Sequence, residues 1–257
     1  MPNKRPHHAN SLSGQANPPT PNQAWQERVK HIAKEAALKE DRIRVGWNAT
    51  DERTPAFAYR WEHVQQVVSY GRWLLTQIEA DHDIVIAACW LHDVKKLEPH
   101  HAKQGAQFVR QFLPTTNFPA AKINAVAFAI EQHEGLFRSA NGKKNKQDPF
   151  IAAPPMQPIE AALLWDADKL SKVGPTALIH SYSAHLLSLH KANKSITTQE
   201  FIMNNRRWLN QFVPRIIASL NTSAAQKKAK QLHAPYDLFW QSAEQTMALL
   251  DSTKEMS

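Results

Sequence analysis

Trp90-Leu91-His92-Asp93-Val94 is the stretch on which the reading of this chain turns. A His stands directly before an Asp at the end of the apolar run 84 to 91. That run has the composition of a buried helix. Upstream, His63 lies beside the apolar stripe of a periodic segment, residues 60 to 80, in which Val64, Val67, Val68, Gly71, Leu74, Leu75 and Ile78 recur at helical spacing. Downstream, Asp166-Ala167-Asp168-Lys169-Leu170 follows Leu163-Leu164-Trp165, and carboxylates seldom follow a buried run without a partner. Successive helical residues are rotated by about 100°, so His92 and Asp93 can grip one ion from adjacent directions. The carboxylates of Asp166 and Asp168 point to different sides of their helix. One is expected to reach the ion, and the other to hold a ligand His or a helix end. Two imidazoles and two carboxylates from three helices can close around a divalent cation and leave positions for water and substrate.

Outward from these motifs, the chain reads as helix after helix. Residues 23 to 39 carry Trp25, Val29, Ile32, Ala33 and Ala36 on one face, and 41 to 60 are irregular around Gly46, Asn48, Asp51 and Pro55. Asp83 is the expected N-cap of the helix running to His92. Helices are expected at 102 to 113 and from Phe118-Pro119 to His133, the latter with Pro in its first turn. A loop from 136 to 158 holds Lys143, Lys144 and Lys146, and the helix 158 to 172 is broken by Gly174-Pro175. Helix 177 to 192 follows, then a capping box at Thr197 and Glu200 opens a helix to Val213. Two last helices are expected at 214 to 232 and 235 to 251. The fold class is all-α: one helical bundle over residues 24 to 257. The tail 1 to 23, rich in Pro, Asn, Ser and Gln, reads as disordered.

The apolar fraction of 42%, with eight Trp and ten Phe, supplies a sizeable core. The single Cys, Cys89, excludes an intramolecular disulfide and fits a cytoplasmic protein. Lys and Arg exceed Asp and Glu by 31 − 23 = 8. Such a surface attracts phosphorylated small molecules and nucleic acids. The charge is spread along the chain, so a dedicated nucleic-acid surface is not favoured. No apolar run approaches the roughly 20 residues of a membrane helix, so no membrane partner is expected. No apolar segment follows Lys4 and Arg5, so a secretory signal is not expected either.

The set His63, His92-Asp93 and Asp168 resembles the HD superfamily of metal-dependent phosphohydrolases. The likeness extends through Phe118-Pro119-Ala120-Ala121-Lys122-Ile123, Ala129-Ile130-Glu131-Gln132-His133 and Pro158-Ile159-Glu160-Ala161. That order is similar to the bacterial HD hydrolases of the YedJ/YpgQ type. It covers about residues 55 to 250 and is strongest over 60 to 180. Three departures are Glu134 where Ser is usual, Val173-Gly174-Pro175 after the acidic motif, and a longer, more basic loop before it.

The resemblance implies an HD-type bundle with His63, His92, Asp93 and Asp168 as ligands of one divalent ion (Mn, Fe, Co, Ni, Zn or Mg), and no organic cofactor. Asp168 is preferred to Asp166 because Ala167-Asp168-Lys169-Leu170 matches the family's Ala-Asp-x-Leu pattern. Catalytic roles are implied for Asp93, taking a proton from water; for Lys96, neutralising a phosphate oxygen in competition with Lys95; and for His133, contacting phosphate or donating a proton. The implied activity is hydrolysis of a phosphate ester or anhydride in a small phosphorylated substrate, a nucleotide above all. The alternative is an HD protein that binds nucleotide or nucleic acid at a non-catalytic metal site. His100-His101 follows the doublet closely enough to line the pocket, but loop surface is the preferred reading; Arg206-Arg207 and Lys227-Lys228 could bind phosphate or nucleic acid, with solvated helix faces preferred. His180, His185 and His190 recur in steps of five, about 140° apart on a helix, and read as unrelated.

Overall fold

A computed structural model describes residues 21–56, 58–140 and 150–254. Residues 1–20 of the expected tail and the lysines at 143, 144 and 146 lie outside the described residues, whereas residues 21–23 begin the first helix. The described residues form helices α1 (Pro21–Arg44), α2 (Tyr59–Leu75), α3 (His82–Leu91), α4 (His101–Phe112), α5 (Ile123–Gln132), α6 (Ile159–Leu170), α7 (Pro175–Lys191), α8 (Thr198–Ala218) and α9 (Ser223–Lys254). Short 3-10 turns lie at Leu113–Thr115 and Ala120–Lys122. Among the described residues there is no strand, only one isolated bridge between Ser139 and Ala152. The all-α bundle expected from sequence is the observed fold.

Two helices at the centre are buried on every side: all residues from Ile84 to Leu91 in α3, and from Ala161 to Leu170 in α6. Helix α3 is apolar all round and has no solvent face to present, and α6 buries Asp166, Asp168 and Lys169 with its apolar residues, so both pack at the centre. Helix α2 lies against α1, α3 and α6, while α5 packs on α3, α4 and α6. Gly71 permits the approach of α2 to α3, because a Cβ there would lie 2.7 Å from the Cys89 sulfur. Cys89 is the buried core residue its position suggests, and burial pushes its thiol pKa up.

Several boundaries differ from the sequence reading. The N-cap of α3 is Asp81, not Asp83: its carboxylate accepts from the backbone N–H of Asp83 at 3.0 Å and Ile84 at 3.2 Å. Lys122 bridges Asp81 and Asp83, which explains the acidic pair. Pro119 precedes the 3-10 turn and does not sit within α5. Pro175 opens α7 at its first turn, so the helix starts two residues before the expected position. The capping box at Thr197 and Glu200 is present.

Neither Pro214 nor Pro235 ends a helix; both lie inside α8 and α9. A helical Pro forfeits a backbone bond but keeps a helical φ. The buried flanks Val213 and Ile216, and Tyr236 and Trp240, hold the two helices continuous. The true break is at 219–222, where Asp166 intervenes. Its carboxylate accepts from Asn221 N at 2.7 Å, Thr222 N at 2.9 Å and Thr222 Oγ1 at 2.7 Å. The central helix thus captures the start of α9.

Removing this capture has a predicted cost. Asp166→Ala leaves two N–H groups and a hydroxyl unpaired, and should lower the unfolding free energy in urea by about 2–4 kcal/mol. Burial raises the Asp166 pKa from 3.8 to about 6, against the opposing backbone bond from Asn221. The folded state therefore holds this proton more tightly than the unfolded chain. Through this group, stability falls as pH rises from 3.8 towards about 6. Asp166→Asn should remove that part of the wild-type slope; unchanged slopes would contradict it.

Candidate metal centre

Helices α2, α3 and α6 each deliver a donor to one point. His63 sits on the buried face of α2, His92 is the C-cap of α3, and Asp168 lies in the last turn of α6. All three are buried, His92 completely. The Nε2 atoms of His63 and His92 face each other at 3.3 Å. Asp168 Oδ1 is 3.4 Å from His63 Nε2, and Asp93 Oδ2 is 3.4 Å from His92 Nε2 and 3.7 Å from His63 Nε2. The four residues singled out from sequence are thus brought together. Asp166 is turned away to α9, as described above.

The other ring nitrogens show what these donors can hold. His92 Nδ1 lies 2.9 Å from the carbonyl oxygen of Cys89, which only accepts, so Nδ1 is the donor. Ser171 Oγ donates its proton to the Asp168 carbonyl at 2.6 Å, so His63 Nδ1 donates to Ser171 Oγ at 3.2 Å. In the neutral rings both Nε2 atoms are then lone pairs. Two lone pairs and two carboxylate oxygens converge at a buried point, an arrangement that a cation between them, a metal ion or a proton, makes favourable. The donor set fits a divalent ion of the Mn-to-Zn series.

Electrostatics keep the donors in ligand form. Burial pushes the His63 pKa well below its ordinary value, helped by the charge of Lys172. Burial alone would raise Asp93, but the positive charge around it, Arg60 above all, holds it well below the carboxylate range. Burial acts on Asp168 in the same sense and is outweighed by Lys169 and Lys172, so Asp168 too is held well down.

The remaining expected residues lie around Asp93. Lys96 Nζ is 3.1 Å from Asp93 Oδ1, whereas Lys95 reaches over the Phe108 ring and leaves the site. His133 is buried behind Asp93, with Nδ1 donating to Ile130 O at 2.5 Å and Nε2 3.3 Å from Asp93 Oδ1. Burial lowers its pKa, against the pull of Asp93. Glu134 is exposed beside it. Of the weaker histidines, His185 packs on Phe201 and His190 is exposed, but His180 lines a cavity next to His63.

Three contributors were not anticipated, and a fourth, His101, has loop surface as its preferred sequence reading. Arg60, one helical turn before His63, is buried and ion-pairs with Asp93 Oδ2 and with Glu40 at 2.9 Å. Lys169 is buried and ion-pairs with Asp168, donates to His133 O at 3.2 Å, and lies 4.3 Å from the centre of the Trp165 ring. Lys172 reaches Asp168 Oδ1 at 3.0 Å. His101, expected on a loop surface, instead begins α4 and points its Nε2 to within 3.5 Å of Asp93 Oδ1. The preceding His100 takes the left-handed region, φ 54°, to make that turn. Of these, only Arg60 carried a sequence signal, a cation at i−3 from His63 on the same helix face.

Residues 60–172 match the family model of the HD domain. Solved structures share its fold. YpgQ of Bacillus subtilis in complex with ADP aligns with a TM-score of 0.55 at 15% identity, over 86% of this chain and 96% of its own. An HD-superfamily hydrolase of Bacillus thuringiensis gives 0.53 at 16%, over 88% and 98%. A protein of Lactobacillus plantarum gives 0.53 at 20%, over 88% and 98%. No curated protein matches the chain. No helix among the described residues is long and apolar enough to cross a membrane. The HD match spans every donor of the centre, while α7, α8 and α9 lie beyond it.

The Arg60 bridge yields a prediction. Arg60→Met strips a buried partner from both Glu40 and Asp93, and should lower the unfolding free energy by roughly 3 kcal/mol. Saturating Mn2+ should return part of that loss by neutralising Asp93. A loss of equal size with and without Mn2+ in urea unfolding would separate Arg60 from the centre.

Proposed function

We infer that this HD-domain protein is a divalent-metal-dependent phosphohydrolase acting on a small phosphorylated substrate with an aromatic ring, a nucleotide. The observation that carries the reading is the pair of facing Nε2 atoms of His63 and His92, flanked by Asp93 and Asp168. A divalent ion held by these four side chains would polarise a phosphoryl oxygen and lower the pKa of a bound water.

The surroundings support a phosphate and a ring. A cavity of about 230 Å³ opens at His63 between α2, α6, α7, α8 and α9. Arg60 and Lys172, which pair with Asp93 and Asp168, line it together with Tyr59, His180, Trp208 and Tyr236. Cations near the ligands suit phosphoryl oxygens, and the aromatic walls suit a base. YpgQ, a protein of the same fold, has been seen with ADP bound.

The residues then divide the reaction. Lys172 orients and neutralises the phosphoryl group, with Lys96 stabilising charge as it develops. Asp93 accepts a hydrogen bond from the attacking water and aims it, and Arg60 and Lys96 hold the Asp93 carboxylate in place. Water adds to phosphorus and releases a proton to solvent by way of Asp93, the bond to the leaving oxygen breaks, and that oxygen takes a proton from solvent.

Phosphate and pyrophosphate release from a nucleotide panel, with Mn2+, Co2+, Ni2+, Mg2+ or Zn2+ in turn, tests the reading. Release should require the ion and vanish in His92→Ala, with helical content unchanged. Metal bound in the wild type without release from any nucleotide would favour a binding role. Trp208→Ala should raise KM about tenfold with kcat little changed, because stacking of this kind is worth on the order of 1 kcal/mol in the bound substrate. An unchanged KM would remove Trp208 from the substrate pocket.

A further inference from the structure

The donors around Asp93 fall into two groups, and the ion read into the centre uses only one. Asp93 Oδ2 faces His63 and His92, whereas Oδ1 faces His101 and His133. The atoms of Asp93, His101 and His133 lie within 4.8 Å of one another. His133 Nδ1 donates to a carbonyl, so the neutral ring turns an acceptor towards Oδ1 at 3.3 Å. His101 Nε2 approaches the same oxygen at 3.5 Å. Three acceptors around one half-buried point require a positive charge there.

That charge is present. Lys96 Nζ lies 3.1 Å from Asp93 Oδ1 and 3.1 Å from His101 Nε2. The turn that follows α3 puts it there: Lys96 N donates to Asp93 O at 3.0 Å, folding the lysine back over the aspartate. Two imidazole nitrogens and a carboxylate oxygen would equally suit a divalent ion.

We propose that Asp93, His101 and His133 form a second cation site that the protein fills with the ammonium of Lys96, so that the centre takes one divalent ion and loss of Lys96 opens room for another. The proposal rests on the reading of His63, His92, Asp93 and Asp168 as a metal centre. Asp93 would bridge the two ions in the altered protein, in the manner of two-metal phosphoryl-transfer sites. In the native protein the second positive pole is tethered to the chain and cannot dissociate.

Equilibrium dialysis of the full chain against Mn2+, with the metal-to-protein ratio read by mass spectrometry, tests this. The wild type should hold one equivalent. Lys96→Met, which keeps the aliphatic stem, should hold two and give an exchange-coupled Mn2+ pair in electron paramagnetic resonance. Lys96→Arg, which keeps a cation, should stay at one, and Lys96→Met with His101→Ala should return to one. Lys96→Gln, read the same way, covers the case in which Lys96→Met does not fold. Two equivalents in the wild type, or one in both folded Lys96 variants, would overturn the proposal and leave the metal centre standing. No bound Mn2+ in the wild type would overturn both.

Discussion

Asp93 carries a single negative charge between two sets of nitrogen atoms, and its two oxygens serve different sides. Oδ2 closes the group formed with His63 and His92, and it is also where Arg60 docks. Oδ1 receives Lys96, His101 and His133. A buried carboxylate would ordinarily take up a proton to escape its desolvation. Here the surrounding positive charge and hydrogen bonds keep it ionised, and so able to ligate. The position of nearly every polar side chain at the centre is set by the need to neutralise Asp93 or its counterpart Asp168.

That neutralisation reaches beyond the donors. Arg60 lies between Asp93 on one side and Glu40 on the other, and Arg44 adds a second cation to Glu40 at 2.8 Å. Helix α1, outside the HD match, is thereby coupled to the floor of the centre. On the other side, Lys169 stands between Asp168 and the carbonyl of His133, joining α6 to the end of α5. Buried ion pairs seldom add net stability over apolar packing, because desolvation offsets much of their attraction. Their retention at the centre of this bundle fits a role in holding ligand geometry.

Much of this was legible in the sequence, and the reason is local. The α2 stripe from Val64 to Leu74 and the unbroken apolar runs of α3 and α6 gave the helices by period alone. They also placed His63, His92 and Asp168 at helix positions that face inward. What stayed hidden depends on packing between distant segments. Lys169 stands beside Asp168 in the sequence, yet a lysine reads as solvated until Trp165 and the His133 carbonyl close over it. His101 looked like loop surface because nothing local reveals the left-handed turn at His100. Pro214 and Pro235 looked like breaks because the local cost of Pro is visible and the burial that outweighs it is not. Asp83 has the sequence position of a cap that its neighbour Asp81 provides, a shift of two residues that only hydrogen-bond geometry resolves.

The grouped donors and part of the cavity wall come from different stretches of the chain. The donors all come from the HD stretch, but His180, Trp208 and Tyr236 in the cavity wall come from helices beyond it. A wall built from separate helices needs a fixed register to the donors it serves, and Asp166 supplies one. It lies two residues from Asp168 on the same buried helix, so the segment that aims one carboxylate at the centre uses the other to hold the start of α9. Tyr236 sits further along that helix, and α7 packs against it. A shift of α6 would therefore move the ligand and the wall together. One short helix thus places a donor with one face and anchors the cavity wall with the other.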